Sequence, residues 1–229
     1  MPSEITGISS MATRRILADL VGPYEQRTGY HLAIRSMGGV NAAKMIRAGE
    51  LTDVIVLAST VMEELEREGH IVPGSRADFA RSGIAMAVPS SVQELSVNDE
   101  ASVKEALLQA RTICYSSGPS GDHLKRLWER WGIAENIYPR AMQAPAGVPV
   151  GAMLAGGEAD LGFQQLSELL DIPGIRIVGP LPPEIQAVTL FSAGVCNASS
   201  KLEEAQAVVA YLASAEAAAP KRRHGMQPA

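Results

Sequence analysis

Hydroxyl and glycine residues gather directly ahead of three helical patterns in this chain. The longest case is Thr112-Ile-Cys-Tyr-Ser-Ser-Gly-Pro-Ser-Gly121, which runs straight into Asp122-His-Leu-Lys-Arg-Leu-Trp-Glu-Arg-Trp131. Ser9-Ser10 and Ser36-Met-Gly38-Gly39 hold the same place ahead of two earlier helical stretches. The first backbone N–H groups of a helix have no partner inside it, and the helix dipole adds partial positive charge there. Serine hydroxyls beside such a corner add aimed donors, so an oxyanion can be held without a counter-charge. One corner alone reads as an ordinary βα turn capped by Ser or Asp. Three on successive βα units point to an anion-binding cleft with candidate contacts at Ser9, Ser10, Ser36, Gly38, Gly39, Ser117, Ser120 and Gly121. Two further strand ends offer amides, Gln164-Gln165 and Gly147-Val148.

The elements that must carry these residues follow from hydrophobic period. Glu4 to Ile8, Tyr30 to Arg35, Asp53 to Ala58, Ile113 to Tyr115, Ile137 to Met142, Ala159 to Phe163 and Ile175 to Val178 read as strands. Helical patterns lie between them. Ile16, Leu17, Leu20 and Val21 form one apolar stripe, with a kink or short break expected at Gly22-Pro23 and a stop at Gly29. Leu124, Leu127, Trp128 and Trp131 form another, and Ala207, Val208, Tyr211 and Leu212 face inward in a last helix over Leu202–Ala218. Residues 92–100 read as a polar loop, and the basic tail from Pro220 as frayed. No internal repeat is evident. Strands alternating with helices argue an α/β fold with mostly parallel sheets. Two long β runs, 79–88 and 185–196, suggest a chain that leaves one lobe, builds a second and returns. Lobe one is then residues 1–80 plus 197–229, and lobe two residues 81–196.

Composition narrows the partners. Hydrophobic residues make up 46% of 229, enough for a full core, while aromatics are 4%, so that core is aliphatic. The net charge of −5 comes without a basic stripe, which argues against nucleic acid. No apolar run reaches membrane-spanning length. Met1-Pro-Ser-Glu-Ile lacks the basic and apolar regions of a leader. The expected location is periplasmic if a signal peptide precedes the chain in the native protein, and cytoplasmic otherwise. Cys114 and Cys196 sit in apolar runs and read as buried free thiols, a disulfide between them being unsupported. No two histidines have metal-ligand spacing and no glycine pattern matches a dinucleotide fingerprint, so neither metal nor cofactor is expected.

The ordered series "Arg-Ser-Met-Gly-Gly-Val", "Ala-Gly-Glu-Leu-Thr-Asp-Val-Ile-Val-Leu-Ala", "Gly-His-Ile-Val-Pro-Gly-Ser-Arg", "Tyr115-Ser-Ser-Gly-Pro-Ser-Gly" and "Ala155-Gly-Gly-Glu-Ala-Asp-Leu-Gly-Phe-Gln-Gln" covers nearly the whole chain. It resembles the molybdate-binding-protein-like branch of the type 2 periplasmic solute-binding proteins. That resemblance implies two α/β lobes joined by two strand crossings and closing by a hinge. It also implies a monomer that serves an ABC permease, with ligand contacts at Ser9, Ser10, Ser36, the 117–121 turn, Gly147, Val148 and Gln164. Molybdate binders of this branch hold their dianion with neutral groups, a second-lobe tyrosine among them. Here the matching strand end is Phe163-Gln164-Gln165, without a hydroxyl, and Arg81 stands on a hinge strand. A guanidinium suits a carboxylate fork, although Arg81 also reads as a surface or inter-strand salt bridge. Both departures favour a small organic acid.

The same branch includes proteins resembling aconitate isomerase, which implies a second reading. A 1,3-proton shift on a polycarboxylate needs an anion clamp and a base of near-neutral pKa. His123 is the first candidate, set just inside a helix start where the dipole disfavours its protonated form, with Tyr115 and Cys114 behind it. An exposed first-turn residue is the alternative for His123.

Overall fold

The computed structural model describes residues 4–92, 95 and 97–229, so residues 93, 94 and 96 of the expected polar loop lie outside the described residues. The chain divides into two compact units, residues 1–82 with 189–229, and residues 83–188.

Unit one holds β1 (Glu4–Ser10), α1 (Arg14–Thr28), β2 (His31–Met37), α2 (Gly39–Arg47), β3 (Val54–Ala58), α3 (Ser59–Arg67) and the first part of β4 (Ala77–Pro89). Unit two takes the rest of β4, then α4 (Glu100–Gln109), β5 (Ile113–Tyr115), α5 (Pro119–Arg130), α6 (Ala134–Ile137), β6 (Ala141–Gln143), α7 (Val150–Ala155), β7 (Leu161–Gln165), α8 (Leu166–Leu169) and β8 (Ile175–Pro180). β9 (Val188–Val195) returns the chain to unit one, which ends with α9 (Leu202–Ala213), α10 (Ala218–Arg223) and β10 (Gln227–Pro228).

In unit one β1 lies between β2 and β3, parallel to both, and β9 runs antiparallel beside β3. In unit two β5 lies between β6 and β7, again parallel to both, while β7 and β8 pair antiparallel with β4. Alternate residues of each strand enter opposite cores, as a two-fold side-chain period requires. Val54, Val56 and Ala58 pack with α1 and α9, whereas Ile55 and Leu57 pack with α2 and α3. Ile113 and Tyr115 face the core under α4 and α5, and Cys114 the one under α7. A sheet buried on both faces explains the unbroken apolar run of β3.

The two units share more than composition suggests. No repeat was evident in the sequence, yet strand, helix, strand, helix, strand, helix recurs as β1-α1-β2-α2-β3-α3 and as β5-α5-β6-α7-β7-α8, the small helix α6 excepted. Each copy is clasped at the same place. Asp53, just before β3, accepts hydrogen bonds from the backbone N and Oγ1 of Thr6 at 2.8 and 3.0 Å. Asp160, just before β7, accepts from the same two atoms of Thr112 at 3.3 and 3.2 Å. Burial pushes the Asp53 carboxyl up, but the hydrogen bonds from Ser199 and Thr6, helped by Lys201, outweigh it and hold the group below its ordinary range.

Several expectations change. The run Ile137–Met142 is not one strand, because Ile133 and Ile137 are four residues apart, both are buried, and that spacing closes a helical turn at α6 before the short β6 begins. Helix α1 passes through Gly22-Pro23 without a break, since Gly22 has no Cβ for the proline ring to meet. Of the four residues expected inward in the last helix, Val208, Tyr211 and Leu212 are buried while Ala207 faces solvent; Ala205 and Val209 complete the buried face of α9, which ends at Ala213. The tail is packed rather than frayed, with β10 pairing β4 and Met226 buried. Both cysteines are free and buried, and burial pushes the Cys114 thiol up to about 12. Among the described residues no helix is long and apolar enough to cross a membrane.

Lys221 anchors that tail. It is 1% exposed, its Nζ donates to the Leu212 carbonyl at 2.7 Å near the end of α9, and it lies 4.6 Å from the centre of the Phe79 ring. Burial lowers its pKa from the ordinary 10.5 to about 8. A group that binds its proton less tightly when folded weakens the fold while charged, so stability rises as pH climbs from about 8 to about 10.5. Against a Lys221→Met variant, which keeps the volume and loses the charge, thermal melts should show the wild type gaining up to ~3 kcal/mol across that window. The variant's own profile there should be flat by comparison.

Candidate functional site

In unit one the expected serines stand at the carboxyl ends of two neighbouring parallel strands. Ser9 on β1 and Ser36 on β2 are direct register partners, and their hydroxyl oxygens are 2.7 Å apart. Ser9 is fully buried and Ser36 half-buried. Ser10, at the last position of β1, is also buried, and its hydroxyl is 3.4 Å from Thr13 Oγ1. Thr13 Oγ1 donates to the Ser10 carbonyl at 3.1 Å, which fixes the turn between β1 and α1. Thr13 was not singled out in the sequence. Its position three residues after Ser10 was the available signal, because a hydroxyl at that spacing closes back on the strand end. Gly38 caps α2, its carbonyl accepting from Ala42 N at 3.0 Å, and Gly39 is the first residue of that helix.

In unit two the corner after β5 is tighter. Ser116 and Ser120 are both buried with hydroxyl oxygens 2.5 Å apart, and Ser117 beside them is half-buried. Gly121 lies in the first turn of α5, where its N–H donates to the Gly118 carbonyl at 3.0 Å. A Cβ on Gly121 would lie 1.9 Å from the Ser116 carbonyl oxygen, a main-chain atom that cannot swing aside. Glycine here therefore sets how closely strand end and helix approach. Gly147 has φ 85°, and the Val148 N–H donates to the Pro145 carbonyl at 2.9 Å, so these residues form a tight turn ahead of α7 whose geometry favours glycine. Gln164 is buried within β7. Its Oε1 accepts from Val150 N at 2.9 Å and its Nε2 donates to Glu168 Oε1 at 2.8 Å. Each unit thus presents clustered uncharged donors at strand ends, and such a set can neutralise part of an anion's charge through oriented dipoles.

The bacterial extracellular solute-binding protein family model matches residues 5–227. The chain belongs to this family. It is 35% identical over 232 residues to an aconitate isomerase from Pseudomonas sp, covering 99% of this chain and 88% of that protein. It is 26% identical over 220 residues to the molybdate-binding protein ModA of Azotobacter vinelandii, covering 91% and 84% of the two. The solved periplasmic molybdate-binding protein of Azotobacter vinelandii superposes with a TM-score of 0.80 at 20% identity, covering 97% of this chain and 98% of that one. The fold is accordingly the two-lobed type 2 periplasmic-binding-protein fold, in the molybdate-binding-protein-like branch.

The remaining candidates of this solute-binding chain sit as follows. Arg81 is exposed on β4 opposite Gln227 of β10, and its Nη1 donates to the Pro228 carbonyl at 3.4 Å. His123, in the first half of α5, is half-buried and its Nε2 donates to the Ile185 carbonyl at 2.7 Å, which leaves Nδ1 as the ring's free lone pair in the neutral form. Cys114 is 3.2 Å from Met153 Sδ in a core, and Tyr115 packs edge-on to Trp128. Glu168 was not singled out in the sequence. It is half-buried one turn beyond Gln164, and burial, opposed by the Gln164 hydrogen bond, raises its carboxyl to about 7. Among the described residues no cluster of three His, Cys, Asp or Glu side chains gathers as a metal site.

The contact at Gly121 is directly testable. Gly121→Ala forces the Ser116 carbonyl or the first turn of α5 to move, and should lower stability by about 2–4 kcal/mol. Chemical denaturation should show an earlier midpoint at unchanged slope, whereas Gly118→Ala, with nothing within 4 Å of the added carbon, should stay within ~1 kcal/mol.

Proposed function

We propose that this chain captures a small carboxylate-bearing anion, using the hydroxyls of Ser9, Ser10 and Ser36 together with the Ser116–Gly121 corner, and that it serves as the receptor of an ABC-type importer on the periplasmic side. The carrying observation is a close pair of hydroxyls within each unit, Ser9 and Ser36 at 2.7 Å in unit one and Ser116 and Ser120 at 2.5 Å in unit two. Uncharged donors held this closely bind an anion with little reorganisation. Gly147, Val148 and Gln164 belong to the proposed set by resemblance. For Val148 and Gln164 the contribution is positional, because the Val148 amide and both ends of the Gln164 amide already have partners in the protein. Arg81 remains in the set as the group that would favour a carboxylate over a metal oxyanion.

A second reading has its own support. Identity to the aconitate isomerase is 35% across 99% of this chain, against 26% for the molybdate binder. On this reading the same donors clamp a polycarboxylate of the aconitate kind while a base moves one proton.

Calorimetry against oxyanions and di- and tricarboxylates separates the ligand classes. Aconitate or a related acid should bind and raise the melting temperature, with molybdate and tungstate giving little shift. A molybdate shift of several degrees with none from any carboxylate would reverse the ligand preference. Ser10→Ala with Ser117→Ala should weaken binding of the cognate acid by ~2–3 kcal/mol, from hydrogen bonds lost to a charged ligand. Unchanged affinity in that double variant removes both serines from the site.

A further inference from the structure

We propose that Glu168 is the proton-exchanging group of this protein, taking a proton from a bound polycarboxylate and returning it two carbons away along the same allyl system. The proposal rests on the isomerase reading above. Its geometric basis is a short relay inside unit two. Gln164, at the penultimate position of β7, donates through Nε2 to Glu168 Oε1 at 2.8 Å. The oxygen of the same amide accepts from Val150 N at 2.9 Å, the first residue of α7, which the Gly147-Val148 turn precedes by one proline. One amide therefore ties this carboxyl to the end of β7 and the start of α7, beside the two segments that the resemblance places near the ligand.

The surroundings of Glu168 are not those of a structural acid. Asp53 and Asp160 are each ringed by several donors, with a lysine or arginine nearby, and sit below their ordinary range. Glu168 has one neutral amide as its hydrogen-bond partner, and among the described residues no salt bridge reaches it. Helix α8 packs on β7 and α7, Leu-Gly-Phe-Gln-Gln and Val-Gly-Ala-Met-Leu-Ala, neither of which carries a titratable residue, and Glu168 is the one such residue on α8 itself. A carboxyl held near 7 is poised to take a proton and to give it back, as a single acid–base group in an isomerase must.

The step balances with one group. The carboxylate removes a proton from the methylene carbon, and the electron pair left behind joins the adjacent double bond as an allyl anion stabilised by the flanking carboxylates. The new carboxylic acid delivers its proton to the former vinyl carbon, so the double bond has moved, Glu168 is again ionised and nothing is oxidised or reduced.

The test follows trans-aconitate with the full chain in deuterated water by proton NMR. The wild type should interconvert the two isomers and exchange their carbon-bound protons, with a rate that rises through pH 7. Glu168→Gln keeps an acceptor for Gln164 and should slow both processes by ~10²–10⁴-fold while calorimetric affinity for trans-aconitate stays within about threefold. Glu168→Asp should retain part of the rate with a displaced pH midpoint, and it replaces the glutamine variant as the deciding measurement if that variant fails to fold. A Glu168→Gln chain that isomerises within threefold of wild type, or a Glu168→Asp chain with an unmoved midpoint, overturns the assignment and leaves the isomerase reading intact. A wild type that neither isomerises nor exchanges protons overturns both.

Discussion

Parallel pairing is the constraint from which the rest follows. Strands that run the same way deliver their carboxyl ends to one edge of a sheet, so whatever those ends carry is brought together without further design. In unit one, the register that sets Ser9 against Ser36 also sets β1 against β3. In unit two, β6, β5 and β7 repeat the arrangement. The Asp53–Thr6 and Asp160–Thr112 clasps fix the opposite ends of these strands, where a slip of one residue would exchange the faces of Ser9 and Ser10 and separate Ser9 from Ser36. The clasp and the donors thus sit at opposite ends of the same strands, the first holding the register that the second requires.

Close packing then converts strand ends into corners of defined shape. At Ser116 and Gly121 the main chain of strand and helix approach so nearly that only a missing side chain permits it. At Gly147 the turn ahead of α7 uses a positive φ and closes with the Val148 amide. These local demands account for the glycines of unit two, whereas an added Cβ on Gly39, near Ser36 in unit one, would meet nothing within 4 Å. In unit two serine supplies donors, and glycine lets the backbone come close enough to aim them.

The fold was legible to the extent that it depends on periodic burial. The apolar runs of β3, β5 and β7 and the stripes of α1 and α5 stand in the sequence because both sheet faces are covered. The duplication was not legible, because topology and register conserve only a few side chains, of which the aspartates before β3 and β7 are the clearest. The tail misled for a similar reason. A basic stretch reads as solvated, and nothing local shows that the Lys221 head will find the last turn of α9. At the site, serines and glycines were visible from their type. Thr13 and Glu168 were not, since their importance lies in what surrounds them: a strand-end carbonyl for one, an amide and a poorly solvated setting for the other. Gln164 was visible by position, but its engagement with Val150 and Glu168 could only come from coordinates.

The two thiols carry a practical consequence. Cys114 lies within a core with its ionisation pushed to about 12, and Cys196 is likewise buried and shifted upward. Thiolates are the form that reacts with maleimides and iodoacetamides, so burial and the raised pKa values both slow the two native sulfurs toward such reagents in the folded protein. A fluorophore attached through one introduced surface cysteine would therefore report chiefly from a single known position, without first stripping the chain of its own.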